Sequence, residues 1–222
     1  MKQFKTGIGK HESQAGFRVI FGTLGILSML VRLYYMRRAS ESDQTISRTR
    51  EERLTLPLVV SINALGTIAG LIHVIAPQRM KWANLPLPVW SRWLGVGLGT
   101  LALPCFLWTH QALGKNWSLA LLTKEGHTLV SSGPYRWVRH PMYTAIFLQQ
   151  LGSFLVSANW VIGIAWLGTS IGSVARVGEE EALMMDEFGE QYRGYMERTG
   201  RFVPPMELRA YVFGPLVEGA TP

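Results

Sequence analysis

Residues 141–175 read PMYTAIFLQQLGSFLVSANWVIGIAWLGTSIGSVA and contain no Lys, Arg, Asp or Glu. As a single α-helix this stretch would be about 52 Å long, which exceeds the roughly 30 Å of hydrocarbon in a bilayer. Ser157-Ala158-Asn159 is the natural break within it. The stretch therefore predicts two membrane helices of roughly 25 Å each, joined by a tight turn into a helical hairpin.

Three further apolar stretches precede the hairpin. Leu54–Ala76 and Trp93–Gly114 carry no formal charge, and each is long enough to cross a bilayer as a helix. Val19–Val31 is shorter, but Arg18 and Arg32 can snorkel from its edges and extend it. The composition agrees, because 48% of the residues are hydrophobic, 17% are charged and the mean hydropathy is positive. We therefore predict an all-α integral membrane protein with about five transmembrane helices.

The distribution of Lys and Arg predicts the orientation. The loops Arg37–Arg53 and Lys115–Arg139, together with the chain from Arg176 onward, carry twice as many basic residues as the N-terminus, the Arg79–Arg92 loop and the hairpin turn. The more basic side is normally cytoplasmic, so we expect the N-terminus outside and the C-terminus inside. The net charge of +7 then reflects topology and attraction to anionic membrane lipids. No basic stripe interleaved with aromatic residues indicates nucleic-acid binding.

A first polar cluster lies directly before the hairpin and reads Gly133-Pro134-Tyr135-Arg136-Trp137-Val138-Arg139-His140-Pro141-Met142-Tyr143. Proline suits the first helical position and disfavours helix at the preceding residue, so a helix is predicted to begin at Pro141. The amides of Met142 and Tyr143 would then lack intrahelical partners and could bind a carboxylate or a phosphate. The simpler interpretation is that these aromatic and basic residues anchor the chain at head-group depth.

A second polar cluster, Arg176–Glu181, follows the hairpin, so the hairpin would bring both clusters to one face of the bilayer. Arg176 and Glu180 are four residues apart and share one helical face. We expect this helix to continue through Phe188 and Tyr192 along the membrane surface. The pair is either an exposed ion pair on an amphipathic helix, or a carboxylate for a cationic cofactor beside a guanidinium for an anionic substrate.

Two other patterns are assigned to packing rather than to ligands. Gly95-Val96-Gly97-Leu98-Gly99 resembles part of a nucleotide-binding loop, but it lies in a predicted membrane helix. With Gly66-x-x-x-Gly70 and Gly168-x-x-x-Gly172 it favours a close-packing helix surface. His127 and His140 are not at helical ligand spacing, so no metal centre is predicted.

Motifs in a fixed order run from before the first cluster to beyond the second. They are Asn116-Trp117-Ser118, His127-Thr128-Leu129-Val130, Gly133-Pro134-Tyr135, Arg139-His140-Pro141-x-Tyr143, Arg176-x-x-x-Glu180-Glu181, Phe188-Gly189-x-x-Tyr192-x-x-Tyr195 and Arg201-Phe202-x-Pro204. In these motifs the chain resembles the isoprenylcysteine carboxyl methyltransferases and their prokaryotic relatives, within the wider group that includes phospholipid N-methyltransferases. The resemblance covers about residues 113–205. Residues 1–112 match only as three generic membrane spans, and 206–222 form an uninformative tail.

The resemblance implies an integral membrane enzyme that uses S-adenosyl-L-methionine in a helical pocket. It implies that Arg176 contacts the acceptor carboxylate and acts in catalysis. The residues that it implies for cofactor binding are His127, Thr128, Leu129, Val130, Tyr135, His140, Pro141, Met142, Tyr143 and Glu180. One departure is that many relatives have a glutamine contacting the cofactor after the Trp-Ser pair, where this chain has Leu119-Ala120-Leu121-Leu122.

Several functions stay open from the sequence. The favoured one is carboxyl methylation of a lipid-modified or otherwise lipophilic acceptor that enters from the bilayer. N-methylation of an aminophospholipid would need a base such as His140 or Glu181, and nothing singles one out. A membrane sterol or enone reductase would need contacts to an additional phosphate of NADPH, for which only Arg136 and Arg139 are candidates. A non-catalytic membrane assembly protein is the structural alternative. The sequence predicts neither the acceptor nor the oligomeric state.

Overall fold

A computed structural model describes residues 2–40, 52–114 and 128–205. Its described parts are helical and contain no β-strand, only two isolated bridges between single residues. The α-helices are α1 (Lys2–Ser40), α2 (Glu52–Ile75), α3 (Val89–Leu113), α4 (Pro141–Ser157), α5 (Trp160–Phe188) and α6 (Glu190–Arg198). Short 3-10 helices cover Pro77–Ala83 and Gly133–Arg136. The predicted all-α class is confirmed.

The protein is an integral membrane protein. Within the described residues, three segments are long and apolar enough to cross a bilayer: Gln14–Arg37, Pro57–Ile75 and Trp160–Phe188. Large apolar side chains such as Ile26 and Leu65 are more than 60% exposed, as expected for helices whose outer faces contact lipid. The count of five spans stays a prediction.

The predicted break at residues 157–159 is where α4 ends and α5 begins. Ala158 adopts a left-handed conformation with φ of 49°, which ends α4. Asn159 then caps α5, because its side-chain oxygen accepts hydrogen bonds from the backbone of the first turn. Arg92 of α3 donates two hydrogen bonds, of 3.0 and 2.7 Å, to the carbonyl oxygen of Val156 and so satisfies the end of α4. This turn fixes how α4 and α5 pack.

The glycine patterns are confirmed as close-packing surfaces. A Cβ added at Gly152 of α4 would lie 2.7 Å from the backbone nitrogen of Gly99 in α3. A Cβ at Gly172 of α5 would lie 2.5 Å from Val59 of α2. Such distances are below any normal van der Waals contact, so α3 and α4 approach backbone to backbone, and the backbone of α5 approaches a side chain of α2. In the glycine-rich stretch at residues 95–99, Gly95 and Gly99 therefore serve helix packing, whereas a Cβ at Gly97 would meet nothing within 4 Å.

The segment after α5 differs from the prediction of one continuous helix. Gly189, with φ of 49°, ends α5 after Phe188 and turns the chain into α6. Because of this turn, Tyr192 and Tyr195 point into the protein and are only 3% and 2% exposed, instead of lying along the membrane surface. The i+4 spacing of the apolar residues correctly indicated helix, but it did not reveal the glycine turn.

Candidate active site

The start of α4 forms one side of the site, and the prediction of a helix beginning at Pro141 is confirmed. The first backbone hydrogen bond of this helix runs from the nitrogen of Thr144 to the oxygen of His140, at 3.2 Å. The amides of Met142 and Tyr143 precede this bond and so have no partner within the helix. Together with the helix dipole, they favour a negatively charged ligand group.

The second polar cluster meets the first in direct contacts. The hydroxyl of Tyr143 donates a short hydrogen bond to Oε1 of Glu180, and Nδ1 of His140 lies 3.3 Å from Oε2 of the same carboxylate. Arg176 lies one turn earlier on α5, is 7% exposed, and its Nε has no hydrogen-bond partner among the described residues. The turn between α4 and α5 therefore brings an anion-binding helix start, a carboxylate and a buried guanidinium into one region.

Glu181 ties three segments of the chain together. It accepts hydrogen bonds from Nε of Arg139 at 3.0 Å and from Nη2 of Arg201 at 2.5 Å. Nη1 of Arg139 also donates to the carbonyl oxygen of Met196 at 2.8 Å and to that of Thr199. The hydrogen bond to Glu181 raises the pKa of Arg201, which keeps that guanidinium charged. Both carboxylate oxygens of Glu181 are thus engaged in holding the fold of the site.

Two buried tyrosines, Tyr135 and Tyr195, also line the site. The hydroxyl of Tyr195 donates a 2.8 Å hydrogen bond to the carbonyl oxygen of Tyr135. Burial raises the pKa of Tyr195 to about 12 and that of Tyr135 well above its ordinary value. Both phenols are therefore neutral at physiological pH and act as hydrogen-bonding or packing groups, not as bases.

These residues surround a cavity of about 620 Å³, which lies within the size range of small-molecule sites. All but two of the residues proposed for the cofactor and the acceptor line it: Thr128, Leu129, Val130, Tyr135, His140, Met142, Tyr143, Arg176 and Glu180. Pro141 starts α4 beside the cavity without lining it, and His127 lies outside the described residues.

The far side of the cavity comes from the N-terminal helices, which the sequence argument treated as generic spans. It includes Met29 and Arg32 of α1, Asn63 of α2, and Phe106 and His110 of α3. No motif in the sequence marks these residues. The one available signal was the arginine within an apolar span, which was assigned to snorkelling. Most of the lining residues from α1, α2 and α3 are nevertheless apolar, among them Leu33, Val59 and Leu113. The cavity therefore has a polar end at Glu180 and Arg176 and a more apolar extension between α1, α2 and α3.

Comparisons with known proteins find similar proteins for the part of the chain that includes α4 and most of α5. Residues 95–186 match the model of the isoprenylcysteine carboxyl methyltransferase family. The protein-S-isoprenylcysteine O-methyltransferase of Mus musculus is 35% identical over 81 residues, which cover 36% of this chain and 29% of the mouse protein. That of Schizosaccharomyces pombe is 30% identical over 98 residues, which cover 41% of this chain and 40% of the yeast protein. The matched region thus spans less than half the length of either relative.

The fold has a solved counterpart. The structure of a eukaryotic intramembrane Ras methyltransferase, an isoprenylcysteine carboxyl methyltransferase, aligns with a TM-score of 0.55 over 91% of this chain and 68% of that one. The sequence identity is 19%, so this likeness concerns the fold. The family model and the sequence relatives point to the family that the motifs resemble, and the solved structure shares the fold. Through residues 95–186, which make up less than half of its length, the chain is similar to the isoprenylcysteine carboxyl methyltransferase family.

Proposed function

We propose that the protein is an S-adenosyl-L-methionine-dependent membrane methyltransferase that methylates a carboxylate of a lipophilic acceptor. One observation carries this proposal: Glu180 and Arg176, one turn apart on α5, line the same cavity. A carboxylate and a guanidinium at this spacing can bind a cationic ligand and an anionic ligand side by side. The names of the relatives, which are O-methyltransferases, support the same reaction class.

The residues present fit the methionine end of the cofactor. The free amides of Met142 and Tyr143 suit its carboxylate, and Glu180 suits its ammonium group. His140 and Tyr143 both contact Glu180 and so fix the orientation of that carboxylate. The other residues that we propose for cofactor binding are His127, Thr128, Leu129, Val130, Tyr135 and Pro141. When bound, the cofactor supplies a methyl group on a sulfonium, ready for in-line displacement.

The remaining task of the protein is to align the acceptor. A carboxylate is already ionised at neutral pH, so no general base is needed to prepare it. Arg176 can hold it by charge-assisted hydrogen bonds, and the apolar extension of the cavity suits the lipophilic part of the acceptor. Catalysis then rests on proximity, orientation and exclusion of water.

The geometry favours this reaction over the two alternatives. An aminophospholipid would bring an ammonium with a pKa of about 10 that must lose its proton. The candidate bases are already engaged, because His140 contacts Glu180 and Glu181, and Glu181 is paired with Arg139. NADPH would require cations for its additional phosphate, and Arg139 is already paired with Glu181. Aminolipid N-methylation and NADPH-dependent reduction therefore remain the second and third proposals.

The membrane arrangement that we propose has five spans, an outer N-terminus and a cytoplasmic active site. The excess of Lys and Arg on the side of the Arg37–Arg53 and Lys115–Arg139 loops supports this orientation. We propose that the acceptor reaches the active site from the surrounding lipid bilayer. We propose no nucleic-acid partner and no metal.

One experiment tests the reaction class. The purified protein in detergent is incubated with methyl-labelled S-adenosylmethionine and a panel of prenylcysteine acids, fatty acids and aminophospholipids. We expect label on an acid, released by mild base as expected for an ester. Base-stable label on an aminophospholipid would replace the proposal by N-methylation. Saturable binding of NADPH without binding of S-adenosylmethionine would favour the reductase.

A further inference from the structure

One face of α1 forms a wall of the cavity. Met29, Arg32, Leu33 and Met36 all line it, and their spacing of three, four and seven residues places them on one helical face. Arg32 is the only charged residue among these four. This face lies well before residue 95, where the match to the family model begins. Arg32 therefore lies outside the region that the family model matches.

Arg32 has no paired counter-ion among the described residues of the surrounding walls. Among the described residues it forms no ion pair, and the described side chains of α1, α2, α3 and α4 include no Asp or Glu. The carboxylate of Glu180, which does line the cavity, is bonded to Tyr143 and His140. On the α3 side, His110 lines the cavity and stacks on Tyr35 with ring centroids 4.2 Å apart.

Membrane anchoring does not account for the position of Arg32. Arg37, one and a half turns further along α1, is exposed and does not line the cavity, so it can serve as an interfacial anchor. Arg32 is half-buried and lines the cavity beside His110, which is only 1% exposed. A cation in such a wall is costly unless an anion accompanies it. A ligand in the cavity is the available source of that anion.

Among the described residues, two arginines that line the cavity have no carboxylate partner, and they lie on different walls. Arg176 comes from α5, which packs on α2 and α4, and Arg32 comes from α1, which packs on α2, α3 and α4. The reacting carboxylate of the proposed acceptor would be the counter-ion of Arg176, which leaves Arg32 without one. Resting on the proposed function, we propose that Arg32 binds a second anionic group of the acceptor. The preferred acceptor is then a lipophilic acid with two anions, the second being a carboxylate, phosphate or sulfate.

The test compares acceptors that differ only in the second charge. N-acetyl-S-farnesylcysteine has one carboxylate. The N-succinyl and N-glutaryl derivatives have a second carboxylate, on linkers of different length. We expect the wild-type protein to prefer a dianionic probe by about tenfold or more in kcat/KM, because a charge-assisted contact is gained. Arg32→Gln should abolish this ratio, and Arg32→Lys should retain part of it. Arg37→Gln, the matched control on the same helix, should keep the ratio of the wild-type protein.

Direct binding separates this inference from the proposed function. Probe affinity is measured by thermal shift in detergent, without methyl transfer. If no probe is methylated but the dianionic probes bind more tightly through Arg32, the reaction is wrong and the second anion site stands. If the wild-type protein does not discriminate, or Arg32→Gln still discriminates, the inference is overturned while carboxyl methylation stands.

A lipid phosphate is the competing source of the anion. Nanodiscs of phosphatidylcholine are compared with nanodiscs that also contain phosphatidylglycerol. Stimulation by phosphatidylglycerol that requires Arg32, with equal turnover of all three probes, would assign Arg32 to a membrane lipid and overturn its assignment to the acceptor. No effect of phosphatidylglycerol together with discrimination between probes supports the proposal.

Discussion

Two neighbouring residues of opposite charge define the chemistry of the site. Glu180 is held by Tyr143 and His140, whereas the Nε of Arg176 has no hydrogen-bond partner among the described residues although the side chain is 7% exposed. The carboxylate is thus oriented before any ligand binds, and the guanidinium retains a donor for one. Single substitutions at these two positions should therefore affect different ligands.

Replacement of Arg176 by alanine should impair turnover without preventing cofactor binding. Loss of a charge-assisted contact to the acceptor should lower kcat/KM by roughly 10- to 100-fold. Methyl transfer gives kcat/KM, and equilibrium binding of labelled S-adenosylmethionine gives the affinity for the cofactor. Arg193→Ala is the control, because Arg193 is exposed and its ion pair among the described residues is with Glu190 on the surface of α6. Undiminished turnover in Arg176→Ala would contradict the assignment.

Replacement of Glu180 by glutamine should produce the opposite pattern. The side chain keeps its size but loses the charge that we propose for the cofactor ammonium, so the Kd for S-adenosylmethionine should rise by about tenfold or more. Isothermal titration calorimetry measures this Kd. Glu190→Gln serves as the matched control, because Glu190 is 82% exposed at the start of α6. An unchanged Kd in Glu180→Gln would remove Glu180 from the cofactor site.

At the scale of elements, Glu181 is the junction between the first cluster, α5 and the segment after α6. Its two guanidinium partners come from Arg139 and Arg201, and Arg139 reaches on to two carbonyl oxygens near the end of α6. None of these contacts involves the proposed cofactor or the proposed acceptor. The sequence contained all three residues within motifs, but their mutual pairing depends on the turn at Gly189, which spacing did not indicate.

Glu181→Gln should therefore destabilise the protein. Arg139 would lose its carboxylate partner in a partly buried position, while Arg201 is half exposed and can be solvated. We expect a loss of about 1–3 kcal/mol in the free energy of unfolding, seen as a lower apparent Tm in detergent. Glu190→Gln should leave the Tm unchanged within error. An unaltered Tm in Glu181→Gln would mean that the three segments are held together by other contacts.

The α3–α4 contact gives a second prediction at this scale. Gly152→Ala would place a methyl group 2.7 Å from the backbone of Gly99, so the two helices must move apart, at a cost of about 1–3 kcal/mol. Gly97→Ala is the matched control, since a Cβ there meets nothing within 4 Å. Because alanine favours helix over glycine, this control should be neutral or slightly more stable. Equal apparent Tm values for the two variants would refute the close-packing role of Gly152.

At the scale of the whole molecule, sequence reasoning was strongest where covalent geometry decides the structure. Pro141 had to begin a helix, the turn at residues 157–159 had to interrupt an overlong apolar stretch, and the two clusters then had to meet. It was weakest where packing decides. Nothing in the periodicity of α1 revealed that Arg32 faces a cavity, because a snorkelling arginine and a cavity-lining arginine give the same pattern in sequence.

The orientation of the molecule can be tested at two exposed positions on opposite ends of the helices. Lys81 lies between α2 and α3, and Arg193 lies on α6, so the proposed topology places Lys81 outside and Arg193 in the cytoplasm. Single cysteines are introduced at each position in a Cys105→Ala background and treated with a membrane-impermeant maleimide. In right-side-out vesicles the reagent should label Lys81→Cys and spare Arg193→Cys, and in inverted vesicles the pattern should reverse. Labelling of both positions from the same side would eliminate this topology, because an odd number of crossings must separate them.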